Sequence, residues 1–392
     1  MLTMKPKYSV TLLLPLLFSC ILITGSVQTF AASDEERTAF NQAYQEYQEI
    51  VAGNGEASRL TEVAEAVYRL GTIVFGEDHA NTAALALNYA RSLTGEPAIE
   101  ALEKSLEHYE NSFGEGAIDL IDPYMELAQT NGNLGKMAKA KQHYLNALEL
   151  VEEHLDNGSQ LEGLINMSIG IVDTGTTVGF RDQEDHEEQT IAYLETAQVI
   201  FSALEDQQSS LYLAQTNFAL GNYQIRLLNF EEAVDTLLAA LNTFSTISTT
   251  DEITLNTHIS LIHAYERLGQ RDEATRHCLS IAVARPFELG QDYLPVYSLA
   301  AYPNSESSRG GPLSRRITAE GFTRVTFTVD KEGFVVDPEV LESEGSSRFP
   351  AESLRVIREF RYAPRMVNGE AVDTPDVEYR FTHTPPPRAR GR

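Results

Sequence analysis

One pattern of small and large apolar residues recurs between Leu85 and Cys278, and its spacing restricts the fold more than any other feature of the chain. Leu85-Ala86-x-x-Tyr89 precedes Ala98, Leu102 and Leu106. Leu127-Ala128-x-x-Asn131 precedes Gly135, Ala140, Tyr144, Ala147 and Leu148. Leu220-Gly221 precedes Phe230-Glu231-Glu232-Ala233, Leu237, Ala240 and Leu241. Leu261-x-x-Ala264-Tyr265 precedes Gly269, Asp272-Glu273-Ala274 and Cys278. Apolar residues three and four apart line one face of a helix, so each stretch reads as two helices. Ala140, Ala233 and Ala274 are small enough for paired helices to approach closely, and the large residues fill the gap between them. Two weaker units complete the run from Ser33 to Ala300. One begins near Phe40, with Tyr44 and Tyr47 on the same face. The other pairs Ile165–Thr174 with Gln189–Phe201. A helical pair cannot bury its apolar face alone, so such units must stack into a solenoid. The stack offers a concave surface suited to an extended peptide or a helix.

This pattern resembles the tetratricopeptide repeat. Ala98 and Ala140 lie 42 positions apart, and Phe75-Gly76-Glu77-Asp78-His79-Ala80 accompanies the first unit. In these respects it is similar to the longer repeats of kinesin light chains. The resemblance implies an architecture and a protein-binding role. It does not imply motor biology.

The segment after Ala300 follows a different rule. Val325, Phe327 and Val329 alternate with Arg324, Thr326 and Thr328, the period of a half-buried strand. Asp330-Lys331-Glu332-Gly333 reads as a hairpin turn, and Phe334–Leu341 as the return strand. Pro338 cannot donate to a ladder, which places it at a bulge or a sheet edge. Pro350 suits the first turn of a helix. Leu354, Ile357 and Arg361, flanked by Ser353 and Phe360, fall at helical spacing, with Arg355, Arg358 and Glu359 toward water. Val377, Tyr379 and Phe381 alternate with Glu378, Arg380 and Thr382 as a third strand. The fold class is therefore α+β multidomain: an all-α solenoid over 33–300, then a small β-β-α-β domain over 301–384 and a Pro/Arg-rich tail over 385–392.

The terminal segment resembles the C-terminal domain of TonB, the periplasmic energy transducer of Gram-negative bacteria. Tyr302-Pro303 matches the opening of that domain. Gly321-Phe322-x-Arg324-Val325-x-Phe327-x-Val329-Asp330-x-Glu332-Gly333 follows in order, then Ser343, Phe360-Arg361-Tyr362-x-Pro364 and Gly369-Glu370-Ala371-Val372. Pro350 stands where the family often has Asp, which alters the usual helix cap. In TonB an edge strand accepts a transporter's peptide by strand addition. The resemblance makes Val377, Glu378, Tyr379, Arg380 and Phe381 the candidate acceptor strand, with an outer-membrane transporter or another envelope protein as partner. A plain third strand, its edge blunted by Pro385-Pro386-Pro387, is the structural alternative. TonB also has a membrane anchor with a functional His and a Pro-rich spacer. The run Tyr8–Phe30 contains no His, and an acidic helical array replaces the spacer. The expected function is partner binding in TonB-dependent transport; the alternative is a repeat scaffold for envelope complexes with no energy-transducing role.

Charge and leader bear on location. From Ser305 onward 14 basic and 14 acidic residues cancel, so the net charge of −27 belongs to the helical part. Such a surface repels nucleic acid and anionic lipid and favours solubility or a basic partner. Lys5 and Lys7 precede an apolar run from Val10 to Ile23, and Thr29-Phe30-Ala31 has small residues at both positions that determine cleavage. This is the layout of a signal peptide over 1–31. The alternatives are an uncleaved inner-membrane anchor and a lipid attached at Cys20, although Phe18 is bulky for a lipoprotein box. Each exports the protein, and the TonB resemblance then implies the periplasm or cell envelope of a Gram-negative bacterium.

The candidates for chemistry are sparse. Cys278 beside His277 lacks an orienting third group and occupies a packing position. His258 and His263 are five apart, against the four-residue spacing of a helical metal pair. His154 and His186 lie among carboxylates without ligand spacing. The acidic run Arg181–Glu188 reads as a surface insertion, with a recognition loop as the alternative. No phosphate-binding, metalloprotease or nucleophile-elbow motif occurs, so the chain reads as a binding protein that is not an enzyme and needs no cofactor.

Overall fold

The computed structural model describes residues 32–179, 181–248, 251–287, 293–299 and 320–383. The leader, Cys20, Tyr302-Pro303 and the 385–392 tail lie outside them. The chain divides into two compact units between Tyr212 and Leu213.

The first unit contains α1 (Asp34–Val51), α2 (Leu60–Phe75), α3 (Ala80–Arg91), α4 (Glu96–Phe113), α5 (Ile121–Asn133), α6 (Met137–His154), α7 (Gln160–Thr174) and α8 (Gln183–Ala203), each packed on the next. Ser33 starts α1 by a capping box: its hydroxyl accepts from the Glu36 N–H, and the Glu36 carboxylate accepts from the Ser33 N–H. Tyr144, Ala147 and Val151 of α6 share a core with Met125 and Ala128 of α5 and Ile165 and Ile169 of α7. In α7–α8 the axes approach so closely that a Cβ on Gly170 would lie 2.5 Å from Leu194. Glycine there does what alanine does at Ala140, Ala233 and Ala274, all fully buried.

The acidic run is not a loop. Gln183–Glu188 form the first turns of α8. Glu184 and Asp185 sit where the exposed N–H groups and the dipole of a helix start favour negative charge. The same acids that read as an insertion therefore help begin a helix.

α9 (Gln207–Arg226), α10 (Phe230–Ile247), α11 (Glu252–Leu268) and α12 (Arg271–Ala284) continue the tetratricopeptide-like series. Gly269 takes a left-handed conformation to end α11. Leu261, Ala264, Ala274, Cys278 and Ile281 pack together with Tyr297.

The terminal domain comprises β1 (Gly321–Val329), β2 (Val335–Glu344), α13 (Phe349–Ile357), β3 (Arg365–Val367), β4 (Glu370–Val372) and β5 (Thr374–His383). Its antiparallel sheet has the order β2-β1-β5. The Asp330 carboxylate accepts from the N–H groups of Glu332 and Phe334 and closes the expected hairpin. Pro338 lies on an outer strand of the described sheet, beside a register shift where Asp337 has φ +49°. The ladder there needs no donor. Pro350 occupies the first turn of α13, and the N-cap Arg348 makes no side-chain cap bond. Val325, Phe327, Val329, Val356, Ile357, Phe360 and Val377 form the core.

Two features differ from the expected order. β3 and β4 make a separate ribbon around Asn368-Gly369, both at positive φ, the geometry of a tight hairpin turn. Strands of three residues carry too little alternation to be seen in sequence. The second difference concerns Arg361. Helix α13 stops at Ile357, and Arg361 lies beyond it, paired through its backbone with Tyr297 and Phe334. Its helical spacing from Ile357 was a coincidence of apolar contacts continued by irregular chain.

Candidate functional site

The proposed acceptor residues all lie on β5. Among the described residues, β5 has β1 as its single strand neighbour. Pairing runs from Gly321↔His383 to Phe327↔Val377 and then slips before Val329↔Thr374. Pro375 has no N–H, and Asp376 has φ +57°. The regular part of the edge is thus Val377–His383. In an antiparallel ladder alternate residues direct N–H and C=O away from the paired neighbour. β5 therefore presents a row of backbone donors and acceptors on the side opposite β1.

Its two faces differ. Val377 and Phe381 are buried and Tyr379 is half-buried. Tyr379 meets the Phe360 ring edge-on at 5.2 Å and the Phe381 ring at 4.9 Å. Burial pushes the Tyr379 phenol above its usual value. On the other face Arg324 reaches Glu342 at 3.7 Å and Glu378 at 3.9 Å, which charges three strands in alternation. The Arg380 guanidinium lies 4.1 Å from the centre of the Phe322 ring. Side chains on both faces are anchored, so the edge is held in extended form.

The Phe360-Arg361-Tyr362 segment, which supplies the floor of this aromatic group, also meets the last helices of the array. The Arg361 guanidinium makes an ion pair with Glu266 of α11 and donates to Thr275 Oγ1 of α12 at 2.6 Å. It donates as well to the Glu332 carbonyl at 3.0 Å, and its carbon lies 3.7 Å from the centre of the Phe334 ring. The side chains of Arg361 and Glu266 are 1% and 6% exposed, so water solvates neither. Arg271 extends the network, 3.8 Å from Glu266 and 3.2 Å from Glu359. Backbone bonds reinforce it: the N–H groups of Val296 and Tyr297 donate to the Arg361 carbonyl, and the Arg361 N–H donates to the Tyr297 carbonyl. Sequence reasoning missed Arg361 because its partner lies 95 positions away. Its place between two aromatics in the matched motif was the available signal.

The other candidates separate. Cys278 is buried, and burial pushes its thiol up to about 12, an inert state for a nucleophile. His277 Nδ1 faces His258 Nδ1 at 2.8 Å and does not form a dyad with the thiol. Burial first, then His258 and Arg276, lowers the His277 pKa to about 4. His263 packs on Tyr297 and Phe230 instead of joining His258. His154 bonds the Gly116 carbonyl, and His186 the Asp173 carbonyl. Among the described residues no three His, Cys, Asp or Glu side chains form a group that could hold a metal, and no helix is long and apolar enough to cross a membrane.

Two family models match parts of the chain. Residues 312–382 match the Gram-negative bacterial TonB protein C-terminal. Residues 121–154, which are α5 and α6, match the tetratricopeptide repeat. Both families are protein-interaction domains. A search of curated proteins finds no match. Among solved structures, BtubC (BKLC) from P. vanneervenii is 18% identical, with a TM-score of 0.40 over 66% of this chain and 96% of that one. A Rap protein complexed with competence and sporulation factor is 15% identical, TM-score 0.39, over 64% and 77%. A Podosopora anserina putative kinesin light chain with nearly identical TPR-like repeats is 13% identical, TM-score 0.33, over 64% and 95%.

Proposed function

We propose that this chain is an exported envelope protein that assists TonB-dependent transport by adding an extended partner segment to the β5 edge. The observation that carries this reading is that, among the described residues, β5 has a single strand neighbour over Val377–His383, in a segment that matches the TonB C-terminal. Backbone bonds along the row would supply affinity, and side-chain contacts beside Tyr379 and Arg380 would supply selectivity. The partner is an outer-membrane transporter or another envelope protein. Single cysteines at Glu378 and Thr382, in a chain with Cys20→Ser, test it against cysteine-scanned periplasmic segments of candidate transporters. Disulfide formation that alternates with position along the segment supports an added strand. No cross-link, or one that ignores position, defeats it.

A repeat scaffold is the second reading, and one observation favours it. A groove of about 550 Å³ lies between α6 and α8, lined by Leu145, Leu148 and Tyr193 and by Glu149, Glu152 and Glu162. Glu149→Lys with Glu152→Lys in this groove separates the two readings: a scaffold loses its main partner, and a strand-addition protein retains it.

A further inference from the structure

We propose that the terminal domain has a second function, as the cap that closes the C-terminal end of the helical array, with Arg361 as the residue that positions it. This does not depend on partner capture at β5.

The last pair of a solenoid has no following repeat to cover its apolar face, so natural arrays end in a cap. Here the residues that would be left bare include Cys278 and Ile281, both buried. No further helical pair covers them among the described residues. Tyr297 packs into their cluster, and Val296 and Ala363 pack against it. Gly333 of the β1–β2 turn fits where a Cβ would collide with the Tyr362 carbonyl and come within 3.6 Å of Cys278.

The same contact surface carries charge that cannot stand alone. Without Arg361, Glu266 would keep only its longer 3.8 Å contact with the exposed Arg271, and without Glu266, Arg361 would be a buried cation. Each half is incomplete without the other. The Tyr297–Arg361 bridge and the Tyr293 hydroxyl, which donates to the Ala363 carbonyl at 2.6 Å, join them further. Attachment through residues 293–299, Glu266 and Thr275 does not need the 300–319 connection. A TonB-like domain on a free spacer would have no use for these contacts.

The test is a full chain with Cys20→Ser and a protease site inserted between Ser305 and Pro312. After cleavage of the folded protein, the two fragments should co-elute at about physiological salt, where exposed charge pairs are largely screened. Cys278 should stay unreactive toward a thiol reagent. Arg361→Met should weaken fragment association about 100-fold or more and make Cys278 reactive, because it strands a buried carboxylate. The double variant Glu266→Met/Arg361→Met should hold the fragments better than Arg361→Met alone. Separation of the wild-type fragments, or a Cys278 that reacts after cleavage as fast as in denaturant, overturns the cap. That wild-type arm decides the matter even if Arg361→Met does not fold.

Discussion

Each compact unit contains a largely buried ion pair, and the two pairs do different work. Lys141–Asp173 joins α6 to α7, consecutive helices of the array. Asp173 is 1% exposed, but Lys141 keeps 24% of its side chain in water and lies 5.5 Å from the Tyr193 ring centre. Arg361–Glu266 joins the terminal domain to α11, and neither side chain reaches water. A lysine suits the first setting, since one donor meets the carboxylate and solvent takes the others. The second needs the guanidinium fork, whose donors divide among Glu266, Thr275 and the Glu332 carbonyl. Its Nε has no partner among the described residues. Neighbouring repeats can share a charge loosely because their cores already hold them together. A domain docked on the end of an array depends more on the charge itself.

The largest expected effect breaks that comparison at its strong end. Arg361→Met should destabilise the chain by about 3–5 kcal/mol, read as a lower denaturant midpoint of the C-terminal unit. Lys141→Met leaves the buried Asp173 without its cation and should cost about 3 kcal/mol, the lower end of that range, because water can enter where Lys141 was part-exposed. Equal losses would erase the distinction between the two pairs.

Acid should act on the C-terminal unit through His277. Its pKa is about 4 in the folded chain, below the ordinary value of 6.5. The unfolded state therefore binds a proton first as pH falls. This stability is whole above pH 6.5, is lost as pH falls toward 4, and changes little below that. The slope is about 1.4 kcal/mol per pH unit inside the window. His277→Phe should flatten the profile between pH 6 and pH 5 in thermal melts. An unchanged profile would mean that His258–His277 does not stay neutral.

The smallest effect is expected at the β5 edge. Glu378 is about half exposed, and its contact with Arg324 is long. Glu378→Ala should shift stability by less than about 0.5 kcal/mol. Cross-linking of a partner segment at Thr382 should nevertheless change. A large stability loss would show that the edge is part of the fold's support and not a surface held ready.

The difference between the units also governs how much was legible in the chain. The array repeats one local rule, so Ala140, Ala233 and Ala274 announce helix contacts by spacing alone, and each is fully buried. The β1–β2 hairpin, the shift beside Pro338 and the β5 alternation follow from period two and from turn chemistry. The candidate edge residues were readable as a strand, but not their place in the sheet: alternation does not reveal which strand lies outside. The acidic start of α8 and the β3–β4 ribbon escaped for a related reason. Charge favours both loops and helix starts, and three residues make no period.

The sequence by itself determined the helical stack, the terminal strands and the family resemblance, because these depend on residues within a few positions of one another. Only the tertiary structure decided that β5 lies at the outside among the described strands, that His277 faces His258, and that Arg361 leaves its apparent helix to meet Glu266. Those outcomes depend on which distant surfaces exclude water together. A buried guanidinium takes whatever carboxylate the packing brings to it, and no local pattern records that choice.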